Sequence, residues 1–385
     1  MITTEQLATL NIEDGISPEL WGAKADGITD CTLALNECVK WACKQKGKVV
    51  IKLKSGVYRI TDTWIVGNKW AEESLFYNNF SFTGSQTGVN VSEYQKSRWS
   101  NIVSIEGTGQ TCLYLDFADT TKLKAGIIYT LQGDGRYKKG YKQYNASISG
   151  IGFYGKGTMI NNVPNDTILN ETYKAYTPNN SVGLICSYNI YLALKDLVFY
   201  GLKDGLVRNN SYFSEITNIR FEFCDRGYFD WQSHSSQIHS MFGSYCNKAF
   251  EVRSSQMVFN NIGTSGGGIG LHIGSGSNLF NGVYLESFNS GEAQIIIGDN
   301  LGDPYYKAGY PYLVDSTDIN MVTVVANNAD KTTGVSLKMN LNARRLYLNR
   351  GSMQSSFKVY ALPENKVFCS GVLGMTNTAN SVVIN

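Results

Sequence analysis

"KDLVFYGLKDGLVRNNSYFSEITNIRFEFCDRG", residues 195–227, says nearly the same thing twice. DLVFY at 196–200 returns as NIRFE at 218–222, then as SMFGS at 240–244, NIGTS at 261–265 and GVYLE at 282–286. The turn-forming first residues, Asp196, Asn218, Ser240, Asn261 and Gly282, are spaced 22, 22, 21 and 21 apart. Each is followed by an apolar residue (Leu197, Ile219, Met241, Ile262, Val283) and, two further on, by a mostly apolar one (Phe199, Phe221, Gly243, Thr264, Leu285). Gly205, Gly227, Ala249 and Gly270, each just ahead of a large apolar residue, read as a second turn column. Identity between repeats is low, yet the chemistry of each column holds. A period near 22 with two or three short strands per repeat marks a solenoid. The arrangement that fits is a parallel β-helix, whose rungs stack about 4.8 Å apart with like residues inside.

The rest of the chain agrees. Its 385 residues include 39 Gly and 24 Tyr but 6 Pro and 3 His, and beyond residue 50 short apolar runs alternate with Gly, Asn, Asp and Ser turns. The reading is all-β. A net charge of +2 with scattered Lys and Arg argues against nucleic acid as a partner. No apolar run approaches the length of a membrane span, so no membrane insertion is expected. The start, "MITTEQLATLNIEDG", lacks the basic-then-apolar layout of a secretory signal, which points to folding in a cytoplasm. Eight cysteines contain no C-x-x-C pair and read as buried thiols rather than a zinc or redox site.

One segment is different. In "WGAKADGITDCTLALNECVKW", residues 21–41, Asp26-Gly27 is a turn dipeptide, Thr29 or Asp30 can cap a helix, and Leu33, Leu35, Cys38, Trp41 and Ala42 recur at roughly helical spacing up to a stop at Gly47. "KVVIKLKSGVYRITDTWIV" then alternates like strands around Ser55-Gly56. An open β-helix end would template aggregation, so the helix is expected to cap the first rung.

This stretch resembles the N-terminal signature of the pectate-lyase-like superfamily found in phage tailspikes and capsule depolymerases. Gly22, Ala23, Asp26, Gly27 and Asp30 match its Gly-Ala-x-x-Asp-Gly-x-x-Asp turn, and Gly56, Tyr58 and Ile60 match its Gly-x-Tyr-x-Ile strand. Cys31 departs where a second acidic residue is common, and Ser55 where Pro is common. Asp26 and Asp30 are read as structural. The resemblance implies a right-handed, homotrimeric parallel β-helix in a virion tail, binding and usually cleaving a bacterial surface polysaccharide. Little chain precedes the motif, so attachment to the tail is expected to need an adaptor protein, unless the sequence is a trimmed one. The expected organisation is a turn and capping helix over 1–48, a β-helix over 49–300 with aromatic-rich insertions at 67–100, 131–145 and 157–180, and an irregular β region over 301–385 where the rung pattern fades and sister subunits could pack.

Alternate strand residues point outward. One outward column is Tyr200, Glu222, Ser244, Ser265 and Glu286; beside it run Val198, Arg220, Phe242, Gly263 and Tyr284. Together they suggest a substrate groove with a small-residue floor, Glu222 and Arg220 on one side and Glu286 and Tyr284 on the other. Glu222 and Glu286 lie three rungs apart, about 14 Å, too far for the paired carboxylates of a glycosidase at about 5–9.5 Å. Asp225 is the better partner for Glu222, at a separation suited to an inverting hydrolase. Asp225 also shares a column with Lys203 and Asn247 and could be a structural corner residue. Asp230 with Arg208 and Asp204 with Arg226 read as structural pairs. Elimination across a uronate would draw instead on Arg220, His239 and Tyr284. His234 and His239 in one turn and His272 outward on a later rung are a poor metal set, so no metal or other cofactor is expected. Gly-rich 263–277 reads as rung corners rather than a phosphate loop. A non-catalytic receptor-binding spike and a structural tail component are the competing functions.

Overall fold

In the computed structural model, the described residues are 9–66 apart from 12, 43, 44 and 46; 101–118; 124–130; 146–287 apart from 161, 162, 165–178, 188 and 210; 293–299; 314–326; and 337–384 apart from 341, 342, 363 and 378–381. The insertions expected at 67–100 and 131–145, and most of 157–180, lie outside them. The chain forms two compact units, one running to Glu215 and one from Ile216.

In the first unit, two parallel ladders rise side by side. Gly47–Lys52 pairs with Asn101–Leu115, which pairs with Ser147–Gly155, which pairs with Ala193–Tyr200. Trp64–Val66, Lys124–Thr130, Asn179–Ser187 and Leu202–Asn209 make the other. In the second unit, Gln237–Ser244, Met257–Ser265, Ser277–Ser287, Val314–Ala326, Ala343–Tyr360 and Lys366–Asn377 pair in succession. Alongside run Arg226–His234, Lys248–Ser255, Ile269–Ser275, Ile295–Ile297 and Leu337–Met339. Each is a parallel β-helix. Past residue 300 the pattern fades in spacing but not in pairing: Asn281 to Asn320 is 39 residues and Asn320 to Asn349 is 29, so the period near 22 is lost while the register continues.

The corners explain why the period is legible. Asp196, Asn218, Ser240, Asn261 and Gly282 all have left-handed backbone, with φ of 54–68°, where Gly, Asn and Asp are at least cost. Two more corners per rung behave alike, among them Phe223 and Tyr245 (φ 53° and 51°) and Ser235 and Gln256 (φ 52° and 57°). The inward columns are buried as expected: Leu197, Ile219, Met241, Ile262 and Val283 are at most 2% exposed.

The second glycine column is not a turn column. Gly205, Gly227 and Gly270 lie within strands, and none has positive φ. They are small because of what faces them. A Cβ on Gly227 would sit 2.9 Å from the Phe221 ring, one on Gly183 2.4 Å from Phe199, and one on Gly270 3.0 Å from Leu285. Large and small alternate across the interior. Aromatic rings also stack along the core, Phe153 on Phe199 at 4.8 Å and Phe259 on Phe280 at 4.6 Å.

The helix spans Thr32–Ala42 and buries Ala34, Leu35, Cys38, Val39 and Ala42. Leu33, expected on that face, is 74% exposed, because the buried stripe follows 35, 38, 39 and 42 and Leu33 falls opposite. Asp30, not Thr29, satisfies the N-terminus by accepting the Thr32 N–H at 3.0 Å. Gly47 does not stop the helix but opens the next strand; the Gln45 N–H closes it on the Ala42 carbonyl. Asn36 does the capping: its amide donates to the Thr63 carbonyl at 3.1 Å and accepts the Ile65 N–H at 3.0 Å. Thr32 Oγ1 likewise accepts the Thr61 N–H at 2.9 Å. Backbone groups at the strand edge are thus satisfied by helix side chains.

Candidate functional site

The outward columns of the second unit stand in the register read from the sequence. Ser244 opposes Ser265, which opposes Glu286, and Phe242 opposes Gly263, which opposes Tyr284. A Cβ at Gly263 would lie 3.0 Å from the Phe242 ring, so this ring lies across the bare glycine backbone. Arg220 holds the Glu222 carboxylate at 2.6 Å. At the far side the Tyr284 hydroxyl donates to Glu286 at 3.1 Å. Desolvation, together with that bond and the Glu286 charge, raises the Tyr284 phenol above its ordinary value.

Between Glu222 and Asp225 the chain turns the Phe223 corner, so the two carboxylates belong to adjoining faces. Asn247, one rung on, donates to Asp225 Oδ1 at 2.9 Å. Three residues span at most about 10 Å of extended chain and less across a bend. At this corner the Phe223 and Tyr245 rings stack at 5.1 Å with 7° between planes, and Tyr245 remains 38% exposed. Tyr245 immediately follows floor residue Ser244, a placement missed in the sequence because the residue falls in a turn column.

Two expected members lie elsewhere. Tyr200 is buried against Tyr154, ring centroids 5.6 Å apart. His239 lies across the Ser240 corner from Ser244, at the end of an asparagine ladder. Asn260 donates to His239 Nδ1 (3.3 Å), Asn281 to Asn260 (3.0 Å), Asn320 to Asn281 (2.8 Å) and Asn349 to Asn320 (3.0 Å). An Asn or His just before the turn residue on successive rungs was the available signal.

No protein-family model matches the chain. A capsule K30/K69-specific depolymerase of Klebsiella phage K64-1 is 21% identical, the alignment covering 96% of this chain and 55% of that protein. The chain thus spans about half the length of the curated relative it matches. Among solved structures, the tailspike of Acinetobacter baumannii phage AM24 is similar with a TM-score of 0.58 at 11% identity, over 97% of this chain and 56% of that one. The fold is a parallel β-helix, as in that tailspike. Endo-xylogalacturonan hydrolase of Aspergillus tubingensis is similar with a TM-score of 0.54 at 11% identity, over 94% of this chain and 93% of that one.

A second ionisable cluster lies on the neighbouring face, and no single column announces it. His272, expected outward on a later rung, is 4% exposed. Its Nε2 meets Asp299 Oδ1 and the Gly298 carbonyl, each at 3.2 Å, and its Nδ1 accepts from Lys248 at 3.3 Å. Buried Arg253 bridges Glu251 at 2.7 Å and Asp299 at 2.6 Å. Arg226 reaches Glu251 at 3.2 Å and lies over the Phe229 ring. Burial alone would raise the Glu251 carboxyl, but Arg226, Arg253 and Lys248 outweigh it and hold it well below the carboxylate range. Asp299 is lowered likewise, its burial outweighed by His272 and Arg253. Asp230 is fully buried and accepts from the Tyr228 hydroxyl and from Ser254 Oγ, the latter at 2.8 Å. Asp26 accepts the Thr29 and Ile28 N–H groups, which lower it to about 2, the behaviour of a turn residue. His234 Nδ1 is bonded to Ser255 Oγ. Among the described residues no His, Cys, Asp and Glu group could hold a metal ion, and no helix is long and apolar enough to cross a membrane.

Proposed function

We propose that this chain is the glycan-handling part of a phage tailspike, binding a bacterial surface polysaccharide along the Arg220–Tyr284 face and cleaving it by hydrolysis. The observation that carries the reading is the registered floor of Ser244, Gly263 and Ser265 between Glu222 and Glu286, flanked by the partly exposed rings of Phe242 and Tyr284. A small-residue floor lets a sugar chain lie against the backbone, aromatic faces cover its apolar side, and carboxylates accept its hydroxyls. Glu222, ion-paired with Arg220, suits the base that activates water, and Asp225 the acid. Their bent-chain separation falls within reach of the roughly 6.5–9.5 Å of inverting enzymes.

Elimination is the second reading, with Arg220 neutralising a uronate. Two observations weigh against it. Desolvation and the hydrogen bond to Glu286 raise the Tyr284 phenol, against its acting as a base, and His239 is bonded into the asparagine ladder across a corner. Attachment to a virion tail, through an adaptor where needed, and assembly as a homotrimer complete the proposal; light scattering of the purified chain tests the trimer. The deciding experiment incubates the chain with purified Klebsiella K30 and K69 capsules and a panel of other capsular and O-antigen polysaccharides. Shorter chains without ultraviolet-absorbing ends support hydrolysis. Shorter chains with such ends mean elimination. Binding without shortening makes this a recognition spike.

A further inference from the structure

A second exposed aromatic pair lies in the first unit, at residues given no role above. Tyr191 and Phe213 stack with centroids 5.4 Å apart and 21° between planes. Both rings face solvent, at 41% and 51% exposure. Both residues are also in left-handed backbone, φ 56° and 52°, which large side chains rarely adopt. The corner does not require aromatics. Continuing at the same 22- and 21-residue spacing, Ser235 and Gln256 hold the same conformation, and Ser235 Oγ simply bonds Gln256 Oε1 at 3.2 Å. The backbone beneath the rings is fixed: the Tyr191 N–H bonds the Tyr212 carbonyl at 3.1 Å, the Tyr212 N–H the Asn189 carbonyl at 2.7 Å, and the Glu215 N–H the Leu192 carbonyl at 3.1 Å. The rings are therefore presented on a rigid ledge.

We propose that Tyr191 and Phe213 form a non-catalytic saccharide-binding ledge, stacking the apolar faces of consecutive neutral sugar rings. The exposed ring area is about 200 Å², far below the roughly 800 Å² per partner of a stable protein interface, so a second copy is a poor occupant. The ledge itself carries no charged side chain, which suits neutral sugars over uronates. The proposal shares with the groove reading only the class of ligand, and the readouts differ: retention on a polymer tests the ledge, chain shortening tests the groove.

The test compares the full chain with Tyr191→Ser/Phe213→Gln, which installs the residue types of the Ser235 and Gln256 corners. Native gels contain K30 capsule, K69 capsule, dextran or hydroxyethyl cellulose as probes. The expected result is retardation of the unsubstituted chain by at least one probe, with apparent affinity at least tenfold weaker in the variant. Tyr191→Phe/Phe213→Trp should keep the retardation. Retardation by none of the four probes, or equally by both chains, overturns the proposal. A fall of several degrees in the variant's melting temperature would make the rings structural, and a changed mass by light scattering would make them an interface; either also overturns it.

Discussion

Replacing Arg253 by methionine tests whether the buried ionic cluster supports the second unit. Arg253 is 3% exposed and bridges two carboxylates that are themselves 1% and 4% exposed. Methionine approximates the stem volume and removes the charge, leaving Glu251 with Arg226 and Lys248, and Asp299 with His272. Breaking a buried pair by removing one partner costs about 3–5 kcal/mol, because a desolvated charge is left behind. For a unit of this size that is a fall of about 6–20 °C in melting temperature. Arg226→Met removes a more exposed partner of the same carboxylate and should cost less. The sign with pH follows from the lowered Glu251 and Asp299 carboxyls. In the unsubstituted chain their contribution is present above the unfolded carboxylate range and is lost only as pH falls through the depressed folded values. In Arg253→Met, burial is less opposed and both carboxyls move up, so acidification relieves the uncompensated charge. The gap between the two chains is therefore largest at neutral pH and narrows below about pH 5. The assay is circular-dichroism melting from pH 7 down to pH 4. A shift under about 2 °C at pH 7, or a gap that widens in acid, would refute the reasoning.

If the groove hydrolyses glycan, Glu222→Gln and Asp225→Asn each lower the cleavage rate by about 10²–10⁴-fold with melting unchanged, read by reducing-end release; activity retained by either removes that residue from the pair. Asn36→Ala leaves the Thr63 carbonyl and Ile65 N–H at the first edge without their side-chain partner, so a loss of about 1–3 kcal/mol and aggregation that rises with concentration are expected by calorimetry and light scattering. Gly227→Ala forces a Cβ to 2.7 Å from the Ala249 carbonyl and 2.9 Å from Phe221; overpacking of this kind costs about 1–3 kcal/mol, and an unchanged denaturant midpoint would contradict the packing account of that column.

The fold was legible because one of the left-handed corners of each rung is held by small or turn-forming residues, Asp196, Asn218, Ser240, Asn261 and Gly282, at nearly constant spacing. The same logic misassigned Gly205, Gly227 and Gly270. Glycine answers equally to a backbone needing positive φ and to a large ring opposite, and only the folded neighbourhood shows which applies. Past residue 287 the rungs lengthen, so a column search at 22 stops although Asn281, Asn320 and Asn349 still bond in line. The asparagine ladder was within reach for its first members and hidden afterwards by the insertions between them.

The site was legible to a different depth, for a physical reason. Alternation along a strand fixes which side chains leave the core, so the order Phe242, Gly263, Tyr284 and Ser244, Ser265, Glu286 could be read and is observed. What covers an outward residue depends on another face, and alternation is silent about that. Tyr200 and His272 were both read as outward, yet one packs on Tyr154 and the other is enclosed by Lys248, Gly298 and Asp299. Arg253 meets Asp299 across 46 residues, a pairing set by how faces adjoin rather than by any period. The chemistry of a β-helix gathers where faces meet. Phe223 and Tyr245 occupy one such corner between Glu222 and Asp225, Tyr191 and Phe213 another, and in both places a large ring accepts left-handed backbone. Polar residues hold the same conformation at Ser235 and Gln256, so geometry alone does not select those rings; contact with a ligand is the selection that the saccharide-binding experiments examine.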